Sequence, residues 1–89
     1  MISAEDCIAM CGLSREEVRG VAEHEHIPET AAAALASYLM HRAGGPQEIC
    51  RMLVDDIREA VQHDRIDHAG ELFSALRHFI DQHPNTTAN

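Results

Sequence analysis

The sequence predicts an all-α fold, a small antiparallel bundle of four main helices with a short N-terminal helix. Helix-capping residues recur from one end of the chain to the other, and the apolar residues between them repeat at the 3.6-residue period of an α-helix. No segment alternates apolar and polar residues over the length of a β-strand. Amphipathic helices joined by short connections favour antiparallel packing of neighbours.

The first two predicted helices begin at serine residues. Ser3 caps a short first helix. Ser14 and Glu17 then form a Ser-x-x-Glu capping box, in which each side chain bonds to the backbone N–H of the other residue. This box begins a second helix, which we expect to end near His26, because the residue before Pro28 avoids the α-helical region.

Prolines begin the third and fourth predicted helices, because proline is favoured in the first turn of a helix. Pro28 begins the third helix, Gly44 and Gly45 end it, and Pro46 begins the fourth. The apolar residues of the third helix are Ala31, Ala34, Leu35, Tyr38 and Leu39. Those of the fourth helix are Ile49, Leu53, Ile57, Ala60 and Val61.

The helical spacing of apolar residues is interrupted after Val61, which predicts a boundary between two helices. We expect Asp64 to cap a fifth helix with Asp67 in its first turn, and Pro84 to end it. A continuous bent helix over residues 46–82 is the alternative. The apolar residues of the fifth helix are Ala69, Leu72, Phe73, Leu76, Phe79 and Ile80.

The length predicts one helical domain over residues 1–84, followed by a frayed tail at 85–89. A chain of 89 residues buries only roughly 60–65% of its unfolded surface on folding, so its core is thin. A partner or a second copy of the chain could supply further burial.

The acidic net charge argues against nucleic-acid binding and is compatible with a basic protein partner. The chain has 15 acidic residues and 7 basic ones, all arginine, for a net charge of −8. The sequence contains no stripe of basic residues that could bind along a phosphate backbone, and its three aromatic residues offer little base stacking. We therefore expect no nucleic-acid binding. An acidic surface suits a basic protein partner or an acidic decoy of nucleic acid, although it also simply keeps a small protein soluble.

The chain is expected to be cytoplasmic and to avoid membranes. Acidic residues stand near the N-terminus where a secretory signal would have basic ones, and the longest apolar run, residues 31–36, is too short to span a bilayer. The cysteines Cys7, Cys11 and Cys50 are odd in number, which argues against a disulfide framework. We interpret them as small buried hydrophobic residues.

Seven histidines are the most unusual feature of the composition. Five of them, His24, His26, His41, His63 and His83, fall at predicted helix C-termini. Imidazole stabilises a helix C-terminus because the unpaired carbonyls there carry partial negative charge. A structural role at helix ends therefore explains most of the histidines without a ligand.

The alternative interpretation is a metal site. Alternating helix directions would bring Glu23 and His26, a Glu-x-x-His pair, to the same end of the bundle as His63 and His68. Imidazole and carboxylate ligands together favour a divalent transition metal such as zinc. A di-iron centre is disfavoured because the chain has one Glu-x-x-His motif and, by the apolar spacing, no acidic residue within an apolar stripe.

No arrangement of nucleophile and base is apparent, and Gly44–Gly45 does not form a phosphate-binding loop, so we do not expect an enzyme. The sequence predicts a small acidic cytoplasmic protein-interaction or regulatory module. A homodimer is expected from the alanine-rich face of the third helix and from Met40 and Met52, which we predict to be exposed. The His/carboxylate metal-binding bundle is the alternative function.

Overall fold

The computed structural model of the protein describes residues 13–84, which form four α-helices and no β-strand. Their bounds are α1 Arg15–Glu25, α2 Glu29–Met40, α3 Gly45–Gln62 and α4 Ile66–Gln82. The predicted all-α bundle is confirmed. The predicted short first helix, with Cys7 and Cys11, and the predicted tail at 85–89 lie outside the described residues.

The capping box that was predicted at the start of α1 is present. The backbone N–H of Glu17 donates to Ser14 Oγ at 3.2 Å, and the backbone N–H of Ser14 donates to Glu17 Oε1 at 2.9 Å. The helix ends at His26, whose φ of 58° is left-handed and stops the helical backbone. Both ends of this helix therefore follow from the sequence.

The connection from α2 to α3 depends on two glycines. Gly44 has a φ of 79°, which L-residues with a side chain rarely adopt. A Cβ at Gly45 would lie 1.6 Å from the backbone oxygen of Leu39, so only glycine fits there. Pro46 follows in the first turn of α3, as predicted.

The turn between α3 and α4 differs from its prediction. Asp64 has a φ of 59° and lies in the turn, while Arg65 occupies the cap position of α4 without a side-chain bond to the helix. The backbone N–H of Arg65 donates to the carbonyl of Ala60 at 2.8 Å, which closes α3. The prediction of Asp64 as the cap is wrong, and the continuous helix over residues 46–82 is also excluded.

One hydrophobic core joins all four helices, and its largest fully buried apolar side chains are Phe79, Ile49 and Leu53. α1 contacts each of the other helices, and α3 and α4 form the most extensive pair. Gly20 allows α1 to approach α3 closely, because a Cβ there would lie 2.3 Å from Leu53 Cδ2. None of the described helices has both the length and the apolar character needed to cross a membrane.

The predicted inward face of α2 is wrong for several residues. Ala31, Ala34 and Tyr38 are exposed. The helix instead buries Ala32, Ala33, Ala36 and Leu39. An alanine run offers no contrast between faces, so the spacing of its apolar residues does not determine which side turns inward.

Three further expectations about burial were wrong. Met52 was predicted to be exposed, but it lies in the core at 5% exposure, while Met40 packs against the core in part. Val61 and Phe73 were assigned to apolar faces but are 52% and 56% exposed. The thin core is thus filled partly by methionine, and two larger apolar side chains are left outside.

Candidate functional site

The four residues predicted as metal ligands line a single open cleft of about 600 Å³. Glu23 and His26 come from the end of α1, His63 from the end of α3, and His68 from the first turns of α4. Antiparallel packing brings these helix ends together, as the predicted topology requires. The rest of its lining is mixed, with the apolar residues Ala22, Ile27, Pro28 and Ala60 and the charged residues Glu59 and Arg65.

Hydrogen bonds orient two of the cleft histidines. His68 Nε2 bonds to Glu23 Oε1 and so links α4 to α1. His63 Nδ1 donates to the backbone carbonyl of Glu59 at 2.9 Å, which leaves Nε2 as the accepting nitrogen of the neutral ring. Across residues 13–84, no three His, Cys, Asp or Glu side chains lie in an arrangement that could hold a metal ion. The metal site therefore stays a prediction.

Every helix that the structure describes ends at a histidine cap, and these caps are His26, His41, His63 and His83. The Nδ1 atoms of the last three donate to carbonyls four residues earlier, in Ser37, Glu59 and Phe79, at 2.7, 2.9 and 3.0 Å. This arrangement supports the structural interpretation of these histidines. The carbonyls of Glu59 and Phe79 also accept the backbone N–H of the same histidine, so the imidazole reinforces the last turn of the helix, where backbone donors run out.

Glu17 is a buried carboxylate that the sequence analysis assigned only to the capping box. It is 1% exposed, and its second oxygen, Oε2, accepts a hydrogen bond from His78 Nδ1 at 2.8 Å. That hydrogen bond, together with the charge of Glu17, raises the pKa of His78. The bond joins α1 to α4, and the sequence holds no signal for it because the two residues are 61 positions apart.

Asp56 is the second buried carboxylate, at 2% exposure, and its Oδ2 has no hydrogen-bond partner. Burial raises its pKa from the ordinary 3.8 to about 7, and the charges of Glu23, Glu59 and Asp55 act in the same direction. His24 opposes them. The carboxyl group of Asp56 is therefore divided between its acid and carboxylate forms near neutral pH.

The burial of Asp56 contradicts the expectation that no acidic residue lies within an apolar stripe. Ile49, Leu53, Asp56 and Ala60 follow one another at helical spacing along the inward face of α3. The spacing alone could have identified Asp56, because each of its neighbours on that stripe is apolar.

His24 lies beside Asp56 at the contact between α1 and α3. Its Nδ1 is 2.8 Å from Glu25 Oε2, and its Nε2 is 3.3 Å from Asp55 Oδ2. Burial of the ring lowers the pKa of His24, but the hydrogen bonds to Glu25 and Asp55 and the charges of Asp56 and Glu25 outweigh it, so the net pKa is raised.

Cys50 is a free cysteine that packs against the core but is only partly buried, so it matches the prediction of a small buried hydrophobic residue in part. Burial raises the pKa of its thiol, and the charge of Glu17 acts in the same direction. The thiol form is therefore favoured over the reactive thiolate.

Large apolar side chains are exposed on two separate parts of the surface. Tyr38 on α2 is 61% exposed, and the Arg42 guanidinium lies 5.9 Å from the centre of its ring. On α4, Ile66 and Phe73 are 58% and 56% exposed, and they share one helical stripe with Gly70 between them. We call Ile66, Gly70 and Phe73 the apolar stripe of α4.

Val61 on α3 is also exposed, at 52%. It precedes the turn between the two helices, and Ile66 follows that turn. Exposed apolar side chains that are grouped in this way are typical of protein-interaction surfaces. No family of proteins, no curated protein and no solved structure was found to match the chain.

Proposed function

We propose that the protein is a cytoplasmic helical interaction module that self-associates and acts by binding rather than by catalysis. The observation that carries this proposal is the apolar stripe of α4, where Ile66 and Phe73 are each more than half exposed. A chain with a thin core that leaves such side chains in water gains stability when another surface covers them. The odd number of cysteines supports a reducing compartment.

The energy available from this surface corresponds to weak association. Covering the exposed part of one such side chain contributes roughly 1 kcal/mol, so Val61, Ile66 and Phe73 from two copies contribute roughly 6 kcal/mol. Loss of translational and rotational freedom costs about 4–15 kcal/mol. We therefore expect a concentration-dependent dimer, not an obligate one.

Sedimentation velocity across a wide range of protein concentration tests the proposal. The wild type should sediment faster as concentration rises, and Phe73→Ser should weaken this dependence. Tyr38→Ser is the matched control, because it removes an equally exposed aromatic ring from a different helix. A wild type that stays monomeric throughout, or two variants that behave alike, would refute this role of α4.

A second candidate function is transition-metal binding in the cleft of Glu23, His26, His63 and His68. The cleft supports it because these four side chains line one cavity and are exposed or partly exposed, so a metal such as zinc could draw them together.

Titration calorimetry with zinc tests this second candidate. One-site binding at micromolar affinity or tighter should be lost in both His26→Ala and His63→Ala. The matched control is His41→Ala, because His41 caps its helix through the same Nδ1-to-carbonyl bond as His63 but lies outside the cleft. Weak binding at several sites, unchanged by any of these substitutions, would remove the candidate.

A further inference from the structure

The apolar stripe of α4 has a glycine, Gly70, at its centre, and no contact within the chain requires a glycine there. Gly70 is exposed, and a Cβ added there would meet no atom within 4 Å. Glycine within a helix lowers stability relative to alanine. Ile66 and Phe73 project on either side of it, so the glycine forms a shallow hollow between two apolar side chains.

We infer that this hollow receives the same segment of a second copy, with the two α4 helices crossing antiparallel at Gly70. This inference rests on the proposed self-association and specifies its geometry. Ile66 precedes Gly70 by four residues and Phe73 follows it by three. An antiparallel copy therefore packs Ile66 against the partner subunit's Phe73, and the reverse contact repeats this across a two-fold axis.

Charge favours the antiparallel orientation over the parallel one. Arg77 lies on the same helical stripe as Gly70 and forms no ion pair with any residue in the range 13–84. The first turn of α4 and the turn before it carry Asp67 and Asp64. Antiparallel crossing brings Arg77 near the partner subunit's Asp64 and Asp67, whereas parallel crossing would bring the two copies of Arg77 together.

The surface around the apolar stripe also suits contact between two acidic chains. Exposed charges of both signs lie on α4 and on the last turns of α3, with Arg58 and Arg77 as the basic residues and Asp67, Glu71 and Asp81 among the acidic ones. Two copies that carry a net charge of −8 repel each other in general. Contact through a face that includes two of the seven arginines keeps many of the remaining acidic side chains apart.

Disulfide trapping tests this geometry. In a full-length background with Cys7, Cys11 and Cys50 replaced by alanine, Gly70→Cys should form a disulfide-linked dimer under a mild oxidant, because the two-fold axis places the two cysteines side by side. Ser74→Cys is the matched control on the next turn. In an antiparallel pair its two Cα atoms lie about 12 Å apart along the helices, beyond disulfide reach.

The outcomes separate this inference from the proposed function. Trapping at residue 70 but not at residue 74 supports the antiparallel pair. Trapping at both positions, or at neither, in a background that still self-associates by sedimentation overturns the geometry and leaves the self-association intact. A wild-type chain that is monomeric at all concentrations overturns both. If the cysteine-free background does not fold, Arg77→Glu in the wild-type chain should weaken self-association more than Arg42→Glu.

Discussion

Replacing Asp56 with asparagine should change how stability depends on pH. In the folded chain the pKa of Asp56 is about 7, against an ordinary value of 3.8. The folded state therefore holds a proton that the unfolded state has released between these two pH values. Stability falls as pH rises through this window, and the loss is complete above the folded pKa.

The size of the loss follows from the same two values. A shift from 3.8 to about 7 corresponds to about 4 kcal/mol of free energy of unfolding, since one pKa unit is worth about 1.4 kcal/mol. This is a large share of the stability of a small domain, which is typically about 5–15 kcal/mol. An asparagine side chain at this position would keep the size of the aspartate and carry no charge at any pH.

The assay is urea unfolding followed by circular dichroism at a series of pH values from below the ordinary aspartate pKa of 3.8 to mildly alkaline. Asp56→Asn should exceed the wild type in stability by up to about 4 kcal/mol above neutral pH, and the two should converge in acid. In dilute protein, Asp67→Asn, the same substitution at an exposed position, should not reproduce this pH-dependent gain in stability. Parallel profiles for Asp56→Asn and the wild type would refute the reasoning.

The remaining predictions also concern stability. Gly20→Ala should destabilise the fold by about 1–3 kcal/mol in chemical denaturation because its Cβ collides with Leu53, whereas Gly70→Ala in dilute protein should stabilise it by about 0.5–1 kcal/mol. Ser14→Ala should cost about 1 kcal/mol through loss of the helix cap, measured in the same way. His78→Gln should reduce the stability that the raised pKa of this histidine supplies below pH 6.5, an effect that fades as pH rises through the folded pKa; an unchanged difference from the wild type across pH would contradict it.

The parts of the fold that local chemistry determines could be predicted from the sequence. The residue types of the Ser14–Glu17 capping box predict the start of α1 directly. Pro46 predicts the start of α3, and the histidines predict helix ends, in the same way. The gathering of Glu23, His26, His63 and His68 in one cleft also follows from helix lengths and antiparallel packing alone. Each of these features depends on residues close in sequence or on topology.

The features that were missed depend on contacts between distant residues. The inward face of α2 could not be determined because its alanine run is apolar on every side. The partnership of Glu17 with His78 requires α1 to lie against α4 in one register. Asp56 differs from these, because its position between apolar neighbours on α3 is visible in the spacing of the sequence, although carboxylates seldom lie in cores.

The buried carboxylates connect the fold to the proposed binding role. A core built largely from small and medium side chains contains two carboxylates, Glu17 and Asp56, and the second has an oxygen without a partner. The raised pKa values of Asp56, His24 and His78 all make stability fall as pH rises toward and beyond neutrality. Because a partner that binds the folded state adds to its stability, self-association should matter most to folding at the pH where these groups have lost their protons. In the proposed dimer, the exposed apolar stripe of α4 supplies burial that the core of one chain does not provide.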